Sequence, residues 1–183
     1  MRVTPTALPD VLVIEPRVFR DERGAFRETW HVEGYSQVTA LPFVHDNVSV
    51  SRRGVVRGLH LQEPHVQGRL VTVLAGAAFD VAVDLRRGSP TFGHWVAEEL
   101  SEENGRQLWI PPGFAHGFQA LAEGTILSYK CTEVYHAECE RTVLWSDPAL
   151  AIRWPLPGVL VATKDTAALP LAQIPAEQLP VFE

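Results

Sequence analysis

Residues 57–73 have the sequence R-G-L-H-L-Q-E-P-H-V-Q-G-R-L-V-T-V, two short apolar runs separated by Pro64 and Gly68. The runs 55–62 and 70–74 are rich in leucine and β-branched residues, a composition typical of strands. Proline and glycine interrupt strands, so the segment between the two runs is predicted to be a loop. The stretch therefore predicts a β-hairpin, and we expect it to carry the active site.

His60 lies in the first of these predicted strands. Side chains alternate along a strand, so His60 points to the opposite face from Leu59 and Leu61. Histidine is the side chain most often used as a general base. His60 is therefore a candidate base, and the simpler alternative is a half-buried polar residue with one hydrogen bond.

The bulk composition indicates one globular domain spanning residues 1–183. Of these residues 46% are hydrophobic, which is enough for one well-filled core. The net charge of -6 argues against nucleic acid or an anionic membrane as a partner. The N-terminus has no apolar signal region, and no apolar run approaches the roughly 20 residues that span a bilayer. We therefore expect a cytoplasmic protein, in which Cys131 and Cys139 are reduced and structural.

Two further segments alternate between faces. Residues 44–51 place His45, Asn47, Ser49 and Ser51 on one face and valines on the other. That polar face lies either against solvent or along a wet cavity. Residues 79–86 place small and acidic side chains opposite a fully apolar face, a pattern typical of the inside of a barrel that leaves room for a ligand.

The spacing of turn residues indicates an all-β fold. Glycines separate short strands at close intervals, and no helical period longer than two turns occurs before residue 165. Residues 11–30 predict a hairpin with its turn at Asp21–Gly24, and residues 176–179 predict a short helix. This pattern favours a β-sandwich or barrel with short helical pieces near the C-terminus over a βαβ fold.

A metal site is the main alternative to metal-free chemistry in a small β-barrel with strand histidines. Its usual local signature is H-x-H followed by a glutamate, but Gln62 occupies the second position. His65 follows Pro64, which interrupts the strand. The ligand pattern is therefore incomplete, and the sequence favours acid/base catalysis without a metal.

Seven motifs occur in order along the chain, and they are F-R-D-E-R-G-A-F-R-E, H-D-N-V-S-V-S, R-G-L-H-L-Q, D-V-A-V-D-L-R-R-G-S-P-T-F-G, P-P-G-F-A-H-G-F, S-Y-K-C and W-S-D-P-A-L. Together they resemble the dTDP-4-dehydrorhamnose 3,5-epimerase family, the RmlC-type cupins, from about Val13 to Pro170. The resemblance implies a cupin-type jelly-roll homodimer acting on dTDP-4-keto-6-deoxy-D-glucose. The implied reaction is cofactor-free epimerisation at C3 and C5, within dTDP-rhamnose biosynthesis.

The resemblance also implies catalytic roles. His60 corresponds to the base, Asp165 in T-K-D-T to the carboxylate paired with it, and Tyr129 in S-Y-K to the acid on the other face of the sugar ring. Arg69 occupies the position of the family's usual lysine, where a cation stabilises the enolate oxygen. Arginine keeps the charge but spreads it over a planar group, so this replacement is not neutral.

The family's substrate-binding positions fall on Arg23, Glu28, His45, Asn47, Arg57, His116, Tyr135, Glu140 and Lys164. In the family, the first two come from the N-terminal hairpin of the partner subunit, here about residues 11–30. His45 replaces the usual glutamine.

Three other functions stay open at this point. A single-position epimerase, acting at C3 or C5 alone, would use the same base and acid. A metal-dependent cupin enzyme would contain bound metal. A sugar-nucleotide binding protein without catalysis would not need the complete set of His60, Tyr129 and Asp165.

Overall fold

The computed structural model describes residues 1–182, which form mostly strands. In chain order the strands are β1 (Arg2–Pro5), β2 (Leu12–Glu15), β3 (Val18–Asp21), β4 (Gly24–Arg27), β5 (His45–Ser51), β6 (Val55–Gln62), β7 (Arg69–Ala75), β8 (Ala77–Asp84), β9 (Trp95–Ser101), β10 (Gln107–Ile110), β11 (Phe114–Ala120), β12 (Thr125–Cys131), β13 (Glu140–Thr142) and β14 (Leu160–Val161). One short helix, α1, spans Thr163–Thr166. Single 3-10 turns cover Gly34–Gln37, Ala137–Cys139, Leu171–Gln173 and Ala176–Gln178.

The strands form two sheets that pack face to face. The first sheet has the order β1-β2-β10-β7-β12-β5, and the second has the order β13-β6-β11-β8-β9 with β14 pairing parallel to β6. Strands β3 and β4 form a separate hairpin with the predicted turn, in which Asp21 pairs with Gly24. The predicted all-β jelly-roll sandwich with short C-terminal helical pieces is confirmed.

The main core lies between the two sheets. It contains Val71 and Leu127 from the first sheet and Ala82 and Phe118 from the second, all buried. Burying a side chain of the size of Val71, Leu127 or Phe118 stabilises the fold by about 1.5–3 kcal/mol. The alternation in residues 79–86 is confirmed, because Ala82 faces this core while its neighbours on the strand lie on the other side of the sheet.

The outer face of the second sheet is covered by the C-terminal segment. Leu59, Leu61 and Val83 pack there against Leu150 and Leu179. The Asp147 carboxylate accepts a hydrogen bond of 2.6 Å from the backbone N–H of Leu171, which joins two parts of this segment. Strand β14 pairs with β6, and this pairing brings α1, which follows β14 directly, alongside β6.

The predicted hairpin in residues 57–73 is wrong. β6 pairs with β11 and β13 of the second sheet, whereas β7 pairs with β10 and β12 of the first. The strand patterns themselves were correct, but the loop between them crosses from one sheet to the other. Alternation is a local property, and it carries no information about which strand is the hydrogen-bonding partner.

None of the helices within residues 1–182 has the length and apolar character needed to cross a bilayer.

Candidate active site

A cleft of about 820 Å³ lies between the two sheets. Both sheets and the C-terminal segment supply its walls. The predicted site residues that line it are His45, Asn47, Arg57, His60, Arg69, His116, Tyr129, Tyr135, Glu140, Lys164 and Asp165. The polar face of β5 thus lines a cavity, which resolves the alternative that the sequence left open.

His60 and Asp165 form a hydrogen-bonded pair at this cleft. His60 Nε2 lies 2.7 Å from Asp165 Oδ1, and the backbone N–H of Gly58 donates to Oδ2 at 3.3 Å. Burial by itself would raise the pKa of the Asp165 carboxyl, but the hydrogen bond and charge of His60 outweigh it and lower that pKa below its usual value. An ionised Asp165 holds the proton of the imidazole on Nε2, which leaves Nδ1 free to accept another.

Tyr129 lies on the opposite wall from His60, because β12 belongs to the first sheet and β6 to the second. Burial raises the pKa of its phenol, and the positive charge of Arg69 offsets only part of that effect. The phenol is therefore protonated at neutral pH. A neutral phenol facing an imidazole across a cleft can donate a proton to the face of a bound molecule opposite the imidazole.

Arg69 lies at the start of β7 and is 8% exposed. Its Nη1 donates to the backbone oxygen of His60 at 2.8 Å, and its Nη2 donates to Gln67 Oε1 at 3.3 Å. The buried Nε has no hydrogen-bond partner among residues 1–182. A cation that lines the cleft is suited to stabilising an oxygen that becomes negatively charged there.

His116 forms a second imidazole–carboxylate pair. Its Nε2 lies 2.9 Å from Asp80 Oδ2, and Asp80 is fully buried. The imidazole ring lies 6.1 Å from the ring of Tyr129, centroid to centroid. Asp80, one of the acidic residues predicted to alternate with the apolar residues of β8, thus fixes the orientation of His116 in the cleft.

Glu140 links two other residues of the cleft. The Lys164 ammonium donates to Oε1 at 2.6 Å, and the Tyr135 hydroxyl donates to Oε2 at 2.7 Å. Burial by itself would raise the pKa of Glu140, but these two hydrogen bonds outweigh it and lower that pKa. Glu140 is therefore ionised, and it holds Lys164 next to Asp165.

The remaining cleft residues offer polar groups from β5 and β6. Arg57 Nε donates to Ser51 Oγ at 3.1 Å, so its guanidinium has a defined position. His45 Nδ1 is buried and has no hydrogen-bond partner within the described chain. Asn47 lies on the same face of β5 as His45 and Ser51.

Arg23 and Glu28 do not reach the cleft of their own chain. Arg23 forms an exposed ion pair with Asp21 at 2.6 Å, and Glu28 is hydrogen-bonded to His31. Both belong to the N-terminal hairpin region. A single chain therefore leaves two of the predicted binding residues outside its site.

Sequence reasoning missed Gln62 and Gln67, which also line the cleft. Both are buried, at 2% and 8% exposed. The signal in the sequence is a glutamine at the end of the first predicted strand and another just before the second, because an amide buried there must be hydrogen-bonded on both its oxygen and its nitrogen. Among residues 1–182, no group of three or more His, Cys, Asp or Glu is placed to hold a metal ion.

Comparison with known proteins gives a consistent result. The family model described as dTDP-4-dehydrorhamnose 3,5-epimerase matches residues 5–173. The protein of that name from Pseudomonas aeruginosa is 52% identical over 168 residues, covering 90% of this chain and 93% of that protein. A dTDP-4-dehydrorhamnose 3-epimerase from Streptomyces niveus is 39% identical over 176 residues, covering 94% of this chain and 85% of that protein.

Among solved structures, the crystal structure of the 3,5-epimerase RmlC from Legionella pneumophila, in complex with dTDP-4-keto-L-rhamnose, superposes with a TM-score of 0.97. It is 49% identical, and the match covers 100% of this chain and 98% of that chain. The sequence motifs, the two-sheet fold and the matches over nearly the whole length agree, and this chain therefore belongs to the dTDP-4-dehydrorhamnose 3,5-epimerase family of isomerases.

Proposed function

We propose that this protein epimerises dTDP-4-keto-6-deoxy-D-glucose at C3 and C5, producing dTDP-4-keto-L-rhamnose for dTDP-rhamnose biosynthesis. The observation that carries the proposal is the arrangement of the His60–Asp165 pair and Tyr129 on opposite walls of one cleft. Inverting a carbon centre by proton exchange requires a base on one face of the ring and an acid on the other. Family membership supports the same reaction.

The first step is removal of a proton next to the keto group. The 4-keto group acidifies the hydrogens on the neighbouring ring carbons, and His60 Nδ1 accepts one of them. The Asp165 carboxylate stabilises the imidazolium that forms. Arg69 lines the cleft and provides a positive charge and a guanidinium donor for the developing enolate oxygen. A donor of this kind typically contributes about 10²–10³-fold in rate.

The second step returns a proton from the other face. The Tyr129 phenol donates its proton to the carbanionic carbon, so that the centre is inverted and the keto group is restored. The phenolate that remains lies near the charges of Arg69 and Arg57. Exchange with solvent then removes the proton from His60 and restores that of Tyr129, which readies both for the second carbon.

The rest of the substrate is a nucleotide diphosphate. Arg57 and Lys164 supply cations for phosphate oxygens. Tyr135 is 55% exposed at the cleft and offers an aromatic face to a flat base. His45, Asn47, His116 and Glu140 supply the hydrogen-bonding groups that would orient the sugar. No metal or organic cofactor has a role in these steps.

The active form is proposed to be a homodimer in which Arg23 and Glu28 enter the partner's cleft. Phe19 and Phe26 are 50% and 68% exposed on the same hairpin. Val48 on the outer face of β5 is 63% exposed, which leaves apolar surface that a second copy could cover. The two hairpin residues lie outside the cleft of their own chain, which supports this exchange.

The protein is proposed to act as one domain in the cytoplasm. Cys131 and Cys139 are free thiols, as expected in a reducing compartment.

A single-position epimerase is the second candidate. The Streptomyces niveus relative is named a 3-epimerase. The same base and acid would serve, and only the orientation of the ring relative to His60 would differ. Arg69 contacts the His60 backbone, so it is placed to influence that orientation.

The test is incubation with dTDP-4-keto-6-deoxy-D-glucose in heavy water, followed by NMR of the sugar. Deuterium at both C3 and C5 with inversion is the result expected for the 3,5-epimerase. Deuterium at one carbon alone would favour the second candidate. Binding of the substrate without any exchange would overturn the roles assigned to His60 and Tyr129.

A further inference from the structure

The segment 132–136, here called the Tyr135 loop, is held by two buried glutamines. Gln67 Nε2 donates to the backbone oxygens of Glu133 and Val134, at 2.8 and 3.0 Å. Gln62 Nε2 donates to the same Val134 oxygen at 3.2 Å, and Gln62 Oε1 accepts from the backbone N–H of His136 at 2.7 Å. The backbone on both sides of Tyr135 is thus attached to the wall of the cleft.

Gln67 also contacts the proposed catalytic machinery. Its Oε1 accepts a hydrogen bond from Arg69 Nη2, and Arg69 Nη1 donates to the backbone oxygen of His60. One side-chain amide therefore joins the Tyr135 loop on its nitrogen side to Arg69 on its oxygen side. The result is a continuous line of hydrogen bonds from the Tyr135 loop to the strand that carries His60.

The chemistry of the amide makes this arrangement specific. A side-chain amide is a donor and an acceptor on one planar group, whereas a carboxylate only accepts. Gln67 and Arg69 are both 8% exposed, so water cannot readily replace a lost contact. A displacement of the loop carbonyls therefore either breaks these hydrogen bonds or moves the amide, which is bonded to the guanidinium.

We propose that Gln67 is a positioning residue that couples binding of the nucleotide half of the substrate, through the Tyr135 loop, to the position of the Arg69 guanidinium at the keto oxygen. The inference rests on the proposed function. A nucleotide that engages Tyr135 holds the loop in place, and the loop in turn holds Gln67 and Arg69. Binding energy from a part of the substrate that does not react is thereby used to orient the reacting part.

Two substitutions separate the two sides of the amide. Gln67→Glu keeps an acceptor for Arg69 but removes the donor to the loop carbonyls. Gln67→Met removes both contacts at similar length. We expect Gln67→Glu chiefly to raise KM, and Gln67→Met to raise KM and also to lower kcat by about tenfold, because only the second releases Arg69.

Gln119 provides a matched control for the loss of a buried amide. It is fully buried, and it donates to the Leu156 backbone oxygen at 3.0 Å and accepts from the Leu156 N–H at 2.9 Å, outside the cleft. Gln119→Met should reduce thermal stability to a similar extent as Gln67→Met. It should leave kcat and KM unchanged.

The decisive experiment is a double-mutant cycle on kcat/KM for deuterium exchange, with Tyr135→Ala and Arg69→Lys as the single changes. With Gln67 present, we expect kcat/KM of the double variant to differ by about fivefold or more from the value given by the product of the two single effects. With Gln67→Met, or with Gln67→Glu if the methionine variant does not fold, the two effects should multiply independently. A merely structural glutamine would not change the coupling between two other residues.

Two results would overturn the inference while leaving the proposed function intact. One is independent effects of Tyr135→Ala and Arg69→Lys in the protein that retains Gln67. The other is a coupling of the same size after Gln67 is replaced. A wild-type protein that exchanges no deuterium would instead overturn the proposed function, and the inference with it.

Discussion

His60 Nε2 lies 2.7 Å from Asp165 Oδ1, and this carboxylate is almost completely buried behind the imidazole. The contact determines which nitrogen of His60 carries a proton at rest. It also places a negative charge beside the ring that becomes positive during proton abstraction. The strength of the base therefore depends on a residue that has no need to touch the substrate.

Asp165→Asn should lower kcat by at least about 10²-fold, because the amide removes the negative charge and permits the wrong tautomer of His60. Deuterium exchange in heavy water measures the effect. Asp10→Asn is a suitable control, since its carboxylate pairs with Arg86 outside the cleft and is 53% exposed. Activity of Asp165→Asn close to wild type would contradict the pairing assigned here.

His60→Asn and Tyr129→Phe should have different effects on exchange and on inversion. His60→Asn removes the base, so exchange and epimerisation should both fall by about 10²–10⁴-fold. Tyr129→Phe removes only the acid, so the sugar should still exchange a proton with solvent through His60 but with retained configuration. NMR of the recovered sugar distinguishes the two. Inversion by Tyr129→Phe at the wild-type rate would exclude Tyr129 as the proton donor.

Arg69→Lys and Arg69→Met test whether charge or shape matters at the proposed enolate site. The lysine variant keeps the positive charge and should lose less than about tenfold in kcat. The methionine variant removes it and should lose about 10²–10³-fold. Steady-state kinetics with the keto sugar measure both. Equal losses in the two variants would show that the guanidinium geometry, and not its charge, is what the site requires.

Arg69→Met should also shift the pH dependence of kcat. Burial raises the pKa of the Tyr129 phenol, and Arg69 opposes this. Arg69→Met should therefore raise that pKa further, so the alkaline limb of the kcat profile should move to higher pH. An alkaline limb that stays in place or moves to lower pH would exclude Tyr129 as the group that titrates there.

Asp84 should make the fold sensitive to acid. Burial by itself would raise the pKa of this carboxyl, but hydrogen bonds from Arg86, Ser89 and Thr91 outweigh it and hold the pKa at about 2, below the ordinary 3.8. The stabilisation is fully present above the ordinary pKa and is lost as the pH falls from 3.8 towards 2.

Asp84→Asn should therefore lower the free energy of unfolding by about 2 kcal/mol near neutral pH, and by progressively less below about pH 4. Urea unfolding across this range measures the difference. The exposed Glu177 gives a control, as Glu177→Gln should be neutral throughout. A difference between wild type and Asp84→Asn that does not shrink in acid would refute the assignment.

The proposed exchange of hairpins can be tested by complementation. Arg23→Ala and His60→Asn chains should each be nearly inactive alone. If Arg23 serves the partner's cleft, mixed dimers contain one complete site, and equal mixing after reassociation should restore about a quarter of wild-type activity. If Arg23 serves its own cleft, mixing restores nothing. Activity per chain after mixing therefore decides between the two arrangements.

Strand alternation in the sequence correctly predicted which side chains share a face. His60 lies opposite Leu59 and Leu61, and the polar side chains of β5 line one wall. These predictions succeed because the pleat of a strand follows from the covalent geometry of neighbouring residues. Burial then follows, since apolar faces must leave water. The all-β class, the hairpin of β3 and β4 and the cleft-facing position of His60 could all be obtained in this way.

Only the tertiary structure shows which strand or segment lies against each of these strands. β6 and β7 were predicted to pair, yet they lie in different sheets. The sequence identifies Asp165 only through a motif, and Asp165 reaches His60 because β14, just before it in the chain, pairs with β6. Gln67 was not identified at all. Each of these depends on contacts between residues far apart in the chain, and such contacts follow from the packing of the whole core, which no local pattern encodes.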